Sequence, residues 1–184
     1  MNIVIFGSEG KVGLKLQKAF QDQGDTVTGI DRTGKPDIKS DIKSLDFSHP
    51  DIERKLNGAD VVIHLATSPR EDGPDDEHYQ AIIDTSRLLA ACARVPVPRV
   101  LLPSSDWADP RPGWKPINTY GYSKRVFEQM AEMYRHSTKK RCVALRIGWV
   151  PDDPNKVQNA EPWLRDNYWP DERLIRVVKA ALEL

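Results

Sequence analysis

The chain has no long apolar run, no excess of either charge and almost no cysteine. No stretch of its 184 residues approaches the roughly 18 apolar residues of a membrane-spanning helix, so no membrane partner is expected. Lys plus Arg is 27 and Asp plus Glu is 27, giving a formal net charge of zero. No tract is strongly basic, so the electrostatic footprint of a nucleic-acid-binding surface is missing. The densest charge cluster, "REDGPDDE" (70–77), is acidic and reads as a solvated loop. The two cysteines, Cys92 and Cys142, lie far apart in apolar surroundings, which points to buried thiols rather than a disulfide or a metal pair. The four histidines (49, 64, 78 and 136) lack ligand spacing, so no metal is expected. Met1 leads straight into a strand pattern, without the charged and then apolar regions of a secretory signal. A soluble chain in a reducing, cytoplasmic setting is the expectation. Its length suits one domain, 1–184.

What is present is alternation. "NIVIFG" (2–7), "DTVTGID" (25–31), "DVVIHLA" (60–66), "RVLLPSS" (99–105) and "RCVALRIG" (141–148) read as strands, with a weaker strand near 42–47. Helical spacing recurs over 11–24, 50–57, 76–94, 120–136 and 171–184, and a loop rich in Pro, Asp and Trp fills 106–118. Strands alternating with helices predict an α/β fold, a doubly wound parallel sheet with helices on both faces. Ligands of such sheets bind beyond the carboxyl ends of the strands. Gly7, Asp31, Ala66, Ser105 and Gly148 all fall at or just after predicted strand ends, so they converge on one edge.

"GSEGKVG" (7–13) places three glycines at spacing three between the first strand and the first helix. A helix N-terminus offers unpaired N–H groups and partial positive charge, and it binds phosphate if the backbone can come close. Gly7 would allow the tight turn, Gly10 the close approach and Gly13 the packing of helix on strand. The pattern is looser than G-x-G-x-x-G. Asp31 strengthens it. It ends the second strand, 18 residues after Gly13, where a carboxylate reaches a ribose diol and repels a 2′-phosphate. That favours NAD over NADP. Arg32 could instead screen a phosphate, and its plainer reading is a solvated turn residue.

"YGYSK" puts Tyr120 and Lys124 four apart at a helix start, on one face. An ammonium beside a phenol lowers its pKa, and such a phenol can take a proton from an alcohol while a hydride leaves the same carbon. Tyr122 should face elsewhere. "PSSDW" adds Ser104 and Ser105 at a strand end, where a hydroxyl could bond the reacting oxygen.

Together "FGSEGKVG", "DVVIHLA", "LLPSS", "YGYSK" and "LRIG" resemble an extended short-chain dehydrogenase/reductase, of the NAD-dependent epimerase/dehydratase group, from residue 2 to about 150. "SSDW" and "LRIGWVPDDP" look most similar to uronate-dehydrogenase-like members. The resemblance implies a Rossmann fold with bound NAD held by Gly7, Gly10, Lys11, Val12, Gly13, Asp31 and Arg32. It implies Ser105 as the substrate-orienting hydroxyl, Tyr120 as general base or acid, and Lys124 on the nicotinamide ribose. It places Asp46 and Phe47 along the adenine and Leu65 and Ala66 in the cofactor channel. It suggests homodimers through helices 76–94 and 120–136. The chain departs from the family in having Ala81 where many members have asparagine. It also spaces Ser105 only 15 residues before Tyr120, and its substrate region from about 150 to 184 is expected to be much reduced. The function implied is hydride transfer between NAD and a sugar, sugar acid or similar small-molecule substrate. A sugar-nucleotide epimerase or dehydratase, and a non-catalytic dinucleotide-binding redox sensor, are the alternatives.

Overall fold

In the computed structural model, which describes residues 1–95, 97–110 and 116–183, the alternation becomes a single six-stranded parallel sheet. The strands are β1 (Asn2–Phe6), β2 (Thr26–Asp31), β3 (Ile38–Lys39), β4 (Val61–His64), β5 (Arg99–Ser104) and β6 (Arg141–Arg146). The helices between and after them are α1 (Lys11–Gln21), α2 (Pro50–Asn57), α3 (Asp75–Arg94), α4 (Thr119–Thr138), α5 (Pro162–Asp166) and α6 (Asp171–Leu182). The strand order is β3-β2-β1-β4-β5-β6. The chain winds outward from β1 to β3, then crosses to the far side of β1 and winds the other way. That reversal, between β1 and β4, is the topological switch point at which a doubly wound sheet opens a crevice. The fold is the predicted one.

The near-continuous apolar strands follow from this burial on both faces. Period-two geometry sends Val4 and Phe6 of β1, Val62 of β4 and Val100 and Leu102 of β5 to one layer, under α2, α3 and α4. The intervening Ile3, Ile5, Val61, Ile63 and Leu101 face the other layer, against α1 and α6. Leu16 and Phe20 of α1 and Leu174, Val178 and Leu182 of α6 complete that second core. Cys92 and Cys142 are free, buried thiols.

One expectation is corrected. No strand covers 42–47; β3 is the short Ile38–Lys39, and the residues after it are turns. Ile42, Leu45 and Phe47 are buried in the first core layer although they are loop residues. Their alternation with polar neighbours imitated a strand. The Arg87 guanidinium holds this loop to α3, donating to the carbonyls of Ile42, Lys43 and Leu45 at 3.2, 2.8 and 2.6 Å. The Pro- and Trp-rich loop contains a short 3-10 turn at Asp106–Ala108, and its residues 111–115 lie outside the described residues.

Candidate functional site

The carboxyl ends of β1, β2, β4, β5 and β6 wall a cleft of about 1210 Å³. The glycine turn forms its floor. Gly7 has φ +81°, and a Cβ there would lie 2.6 Å from the Ala66 nitrogen and the Leu65 carbonyl carbon. Gly7 is therefore fixed both by its left-handed backbone and by the close passage of β1 against the end of β4. A Cβ on Gly13 would strike the Gly7 oxygen and the Ser8 backbone. Gly10 differs. Its nearest neighbour would be the Gly7 oxygen at 3.4 Å, an ordinary contact. Nothing in the protein's own packing demands a glycine there. Gly10 caps α1 with no side-chain cap bond, and the first turn carries no acidic residue. An uncapped helix N-terminus without carboxylates, opening on a cleft, is suited to an anion. Lys11 and Val12 line the cleft on the same turn, and Lys11 Nζ stands 3.7 Å from Asp152 in an exposed pair.

The Asp31 carboxylate ties this turn to β2. One oxygen accepts from the Glu9 N–H at 2.9 Å, the other from the Thr33 N–H and Oγ1–H at 3.0 Å each. Arg32 reaches outward, 73% exposed and 3.7 Å from Asp41. Both residues line the cleft, as do Leu65 and Ala66 on the opposite wall. Asp46 and Phe47 do not. The Asp46 carboxylate closes its own turn by accepting from the Ser48 N–H and Oγ–H at 2.8 and 2.6 Å. Phe47 is buried against Phe6, with ring centroids 6.0 Å apart. Asp41 and Ile42 occupy the wall assigned to that pair. The acidic-apolar pattern occurs twice in this loop, and the second copy is a core plug.

At the other end of the cleft, α4 brings Tyr120 and Lys124 under the end of β5. Its start is fixed by the Asn118 side chain, which accepts from the Gly121 N–H at 2.9 Å. The Ser105 hydroxyl stands beside the Tyr120 phenol and favours its ionised form. Ser105 Oγ also accepts from the Trp107 N–H at 3.3 Å. Lys124 is buried, its Nζ 4.7 Å from the Tyr120 ring centroid and 3.5 Å from Thr67 Oγ1. Tyr122 is exposed and carries Arg125 over its ring.

The electrostatics differ from expectation. Burial pushes the Tyr120 phenol above its ordinary value, and the Glu71 carboxylate adds to the rise while the Ser105 hydrogen bond opposes it. The expected lowering is reversed, with desolvation the largest cause. Desolvation acts on the lysine too, and takes its ammonium down to about 7.

Several residues in or beside the cleft had no role in the sequence reading or a different one. His78, buried, meets the Tyr120 ring edge-on at 5.5 Å, and burial lowers its pKa. Its position three residues into α3 gave no ligand spacing. Thr67, three residues past β4, was legible only as the residue after "HLA". The Ser104 hydroxyl donates at 2.6 Å to Glu128, which also takes Arg146 through Nε at 2.8 Å and Nη2 at 3.1 Å. Ala81 is buried and lines the cleft.

The model of the NAD dependent epimerase/dehydratase family matches residues 3–150. The chain belongs to that family. It is similar to an L-arabinose 1-dehydrogenase (NAD(P)(+)) of Haloferax volcanii, 24% identical over 80% of this chain and 66% of that protein. It is likewise similar to a dTDP-4-dehydrorhamnose reductase of Escherichia coli, 26% identical over 82% of this chain and 52% of that protein. Among solved structures, a short-chain dehydrogenase/reductase superfamily protein of Agrobacterium tumefaciens with bound NAD superposes with a TM-score of 0.69. It is 24% identical, and the match covers 89% of this chain and 54% of that one. The chain thus spans between about half and two thirds of the length of these relatives.

Proposed function

We propose that the protein is an NAD-dependent oxidoreductase of the short-chain dehydrogenase type, acting on a hydroxyl or carbonyl of a sugar-like substrate. One observation carries this reading. The glycine turn with Asp31 and the neighbouring Ser105 and Tyr120 hydroxyls with Lys124 stand at two ends of the same cleft.

The residues fit the cofactor at each point. The N-terminus of α1, at Gly10, Lys11, Val12 and Gly13, would hold the pyrophosphate. Asp31 has a carboxylate placed for a ribose diol, and Asp41 and Ile42 replace Asp46 and Phe47 as the adenine wall. Leu65 and Ala66 would flank the dinucleotide on the β4 side. When bound, NAD supplies the acceptor or donor of a hydride.

The chain's own residues would handle the proton. Ser105 Oγ orients the substrate oxygen. The Tyr120 hydroxyl gives up or takes its proton, and with its pKa raised it rests as the phenol, the form that donates to a carbonyl. Lys124 is buried with a hydroxyl for company rather than a carboxylate. Cofactor hydroxyls brought to it would solvate its ammonium and restore its charge beside the phenol.

Tyr79 and Ile83 of α3 and Tyr122 and Met133 of α4 are large, apolar and exposed. They support a homodimer built on these two helices. Among the described residues no helix is long and apolar enough to cross a membrane, and the two free thiols suit a reducing compartment such as the cytoplasm.

Calorimetric titration with NAD, followed by a screen of NAD reduction over aldoses, uronates and other polyols, tests the reading. Micromolar NAD binding and turnover of at least one sugar are expected. Absence of NAD binding overturns it. Tight NAD binding with no turnover on any substrate favours the redox-sensor alternative.

A further inference from the structure

Ser105 and Tyr120 reach the cleft from different elements, Ser105 from just past the end of β5 and Tyr120 from the start of α4. Their spacing is therefore set by whatever holds the strand end to the helix. Period-two geometry turns Val100, Leu102 and Ser104 of β5 toward the layer under α4. The Ser104 hydroxyl, only 3% exposed, donates to Glu128 Oε1 at 2.6 Å. Ser105 is the next residue along the chain.

Glu128 follows Lys124 by four residues and Tyr120 by eight, so the three share a face of α4. Its Oε1 also accepts from Arg146 Nε at 2.8 Å and its Oε2 from Arg146 Nη2 at 3.1 Å, a two-pronged contact from the end of β6. One carboxylate thus joins β5, β6 and α4 beside the cleft. Burial works against this charge, but the hydrogen bonds from Arg146 and Ser104 outweigh it and hold the carboxyl below its ordinary value. Two further contacts tie α4 to the turn after Ser105. Arg125 Nε donates to the Ala108 carbonyl, and a Cβ on Gly121 would strike the Trp107 carbonyl oxygen. Those contacts reach residues 107 and 108, whereas Glu128 holds the residue bonded to Ser105 itself.

We propose that Glu128 is a positioning residue for the reaction: by holding Ser104 it sets the Ser105 hydroxyl against that of Tyr120. This rests on the reading that Ser105 and Tyr120 handle the substrate oxygen and its proton. Proton transfer needs heavy atoms within about 2.6–3.2 Å of each other, and a misplacement of about 1 Å costs about 10²-fold in rate. A short hydrogen bond to an ionised acceptor is among the stronger ones, and this one is anchored on the helix that carries the phenol. Glu128 does not line the cleft, so its effect on the reaction passes through Ser104.

Labelling the tyrosines of the full chain with ¹³C at Cζ gives a test that needs no turnover. The Tyr120 signal is the one lost in Tyr120→Phe, and Ser105→Ala shows how it moves when the serine hydroxyl is gone. Ser104→Ala and Glu128→Ala should each shift it in the same direction as Ser105→Ala. Glu128→Gln keeps an oxygen that accepts from Ser104 and Arg146 Nε, and should leave the signal near its wild-type position. On a substrate found by the screen, the two alanine variants should lose about 10–100-fold in kcat with the KM for NAD unchanged, and Glu128→Gln much less. Lowered thermal stability with an unmoved Tyr120 signal and unchanged kcat, or losses in Glu128→Gln equal to those in Glu128→Ala, would overturn the proposal. Ser104→Ala removes one oxygen and leaves Glu128 on Arg146, so it decides the question if Glu128→Ala fails to fold. A signal that moves in Ser105→Ala alone strikes the proposal and spares the Ser105–Tyr120 reading. A signal that ignores Ser105→Ala as well strikes both. NAD titration of the same samples judges the cofactor reading separately.

Discussion

The ammonium of Lys124 lies over the face of the Tyr120 ring, 4.7 Å from its centroid, in surroundings that leave it almost no water. A charge held there costs stability unless something solvates it. The lysine is pushed down to about 7 in the folded protein, below its ordinary value of 10.5. The unfolded chain therefore holds more protons between these values, and stability rises with pH across that window. The penalty is fully present below about 7 and relieved as pH climbs through it. We expect Lys124→Met to be more stable than wild type at pH 6, by about 2–4 kcal/mol, and the gap to shrink toward pH 10. Urea unfolding of both proteins at several pH values checks this. A gap that does not change with pH would show that the ammonium is well solvated in the native state.

Tyr120→Phe keeps the ring that packs against His78 and Lys124 and removes only the hydroxyl. Turnover on a substrate found by screening should fall by about 10²–10⁴-fold, with NAD affinity little changed. Tyr122→Phe, at an exposed position, should be silent. Because the phenol is pushed up, oxidation of an alcohol should speed up as pH rises above neutral. Steady-state kinetics in both directions test each point. A dead Tyr122→Phe beside an active Tyr120→Phe would place the chemistry elsewhere.

The three glycines of the first turn look alike in sequence, and the fold separates them. Gly7→Ala and Gly13→Ala drive a Cβ into backbone that cannot move aside. Each should cost about 1–3 kcal/mol or more, with the left-handed φ at Gly7 adding to the loss. Gly10→Val should stay within about 1 kcal/mol of wild type, since only a cap preference is at stake. It should lose NAD binding. Thermal unfolding paired with calorimetry separates the two kinds of loss. Normal NAD binding by Gly10→Val would remove the anion from the N-terminus of α1.

Which parts of this were legible beforehand follows from the range of the interactions. The sheet, the glycine turn, Asp31 and the Ser105–Tyr120–Lys124 set depend on local periodicity and on strand ends, which short motifs record. Asp46 and Phe47 were misplaced because a buried loop alternates like a strand, and only the contacts of Arg87 and Phe6 tell the two apart. The raised Tyr120 phenol was missed because "YGYSK" shows the spacing of the lysine but not its loss of water. His78 comes from a segment far from the motif in sequence.

Glu128 joins three elements. Its carboxylate takes the buried Ser104 hydroxyl at the end of β5 and the Arg146 fork at the end of β6, from the face of α4 that also carries Lys124. Glu128→Ala leaves the Ser104 hydroxyl without that acceptor, a loss of about 1–3 kcal/mol. Glu128→Gln, which can still accept from Ser104, should lose less. Denaturant unfolding of the two variants gives the comparison. Equal losses would assign the effect to the Arg146 pair alone.

The choice between NAD and NADP turns on Asp31 and its neighbour. Asp31 is committed to the turn through Glu9 and Thr33, yet a carboxylate has about four acceptor positions and these bonds use three. A ribose diol can still be received, whereas a 2′-phosphate would face the charge directly. Arg32 could offset that repulsion, but it leans toward Asp41 and is largely solvated. We therefore expect NAD to bind at least about tenfold more tightly than NADP, a difference near 1.4 kcal/mol. Asp31→Asn keeps only one of the two acceptor oxygens that the turn uses and removes the charge, so it should weaken NAD, improve NADP and narrow the ratio. Arg32→Ala should leave the ratio nearly unchanged. Titration of wild type and both variants with the two cofactors decides between the residues. Tighter NADP binding by wild type, abolished in Arg32→Ala, would transfer control of the ribose site from the carboxylate to the guanidinium.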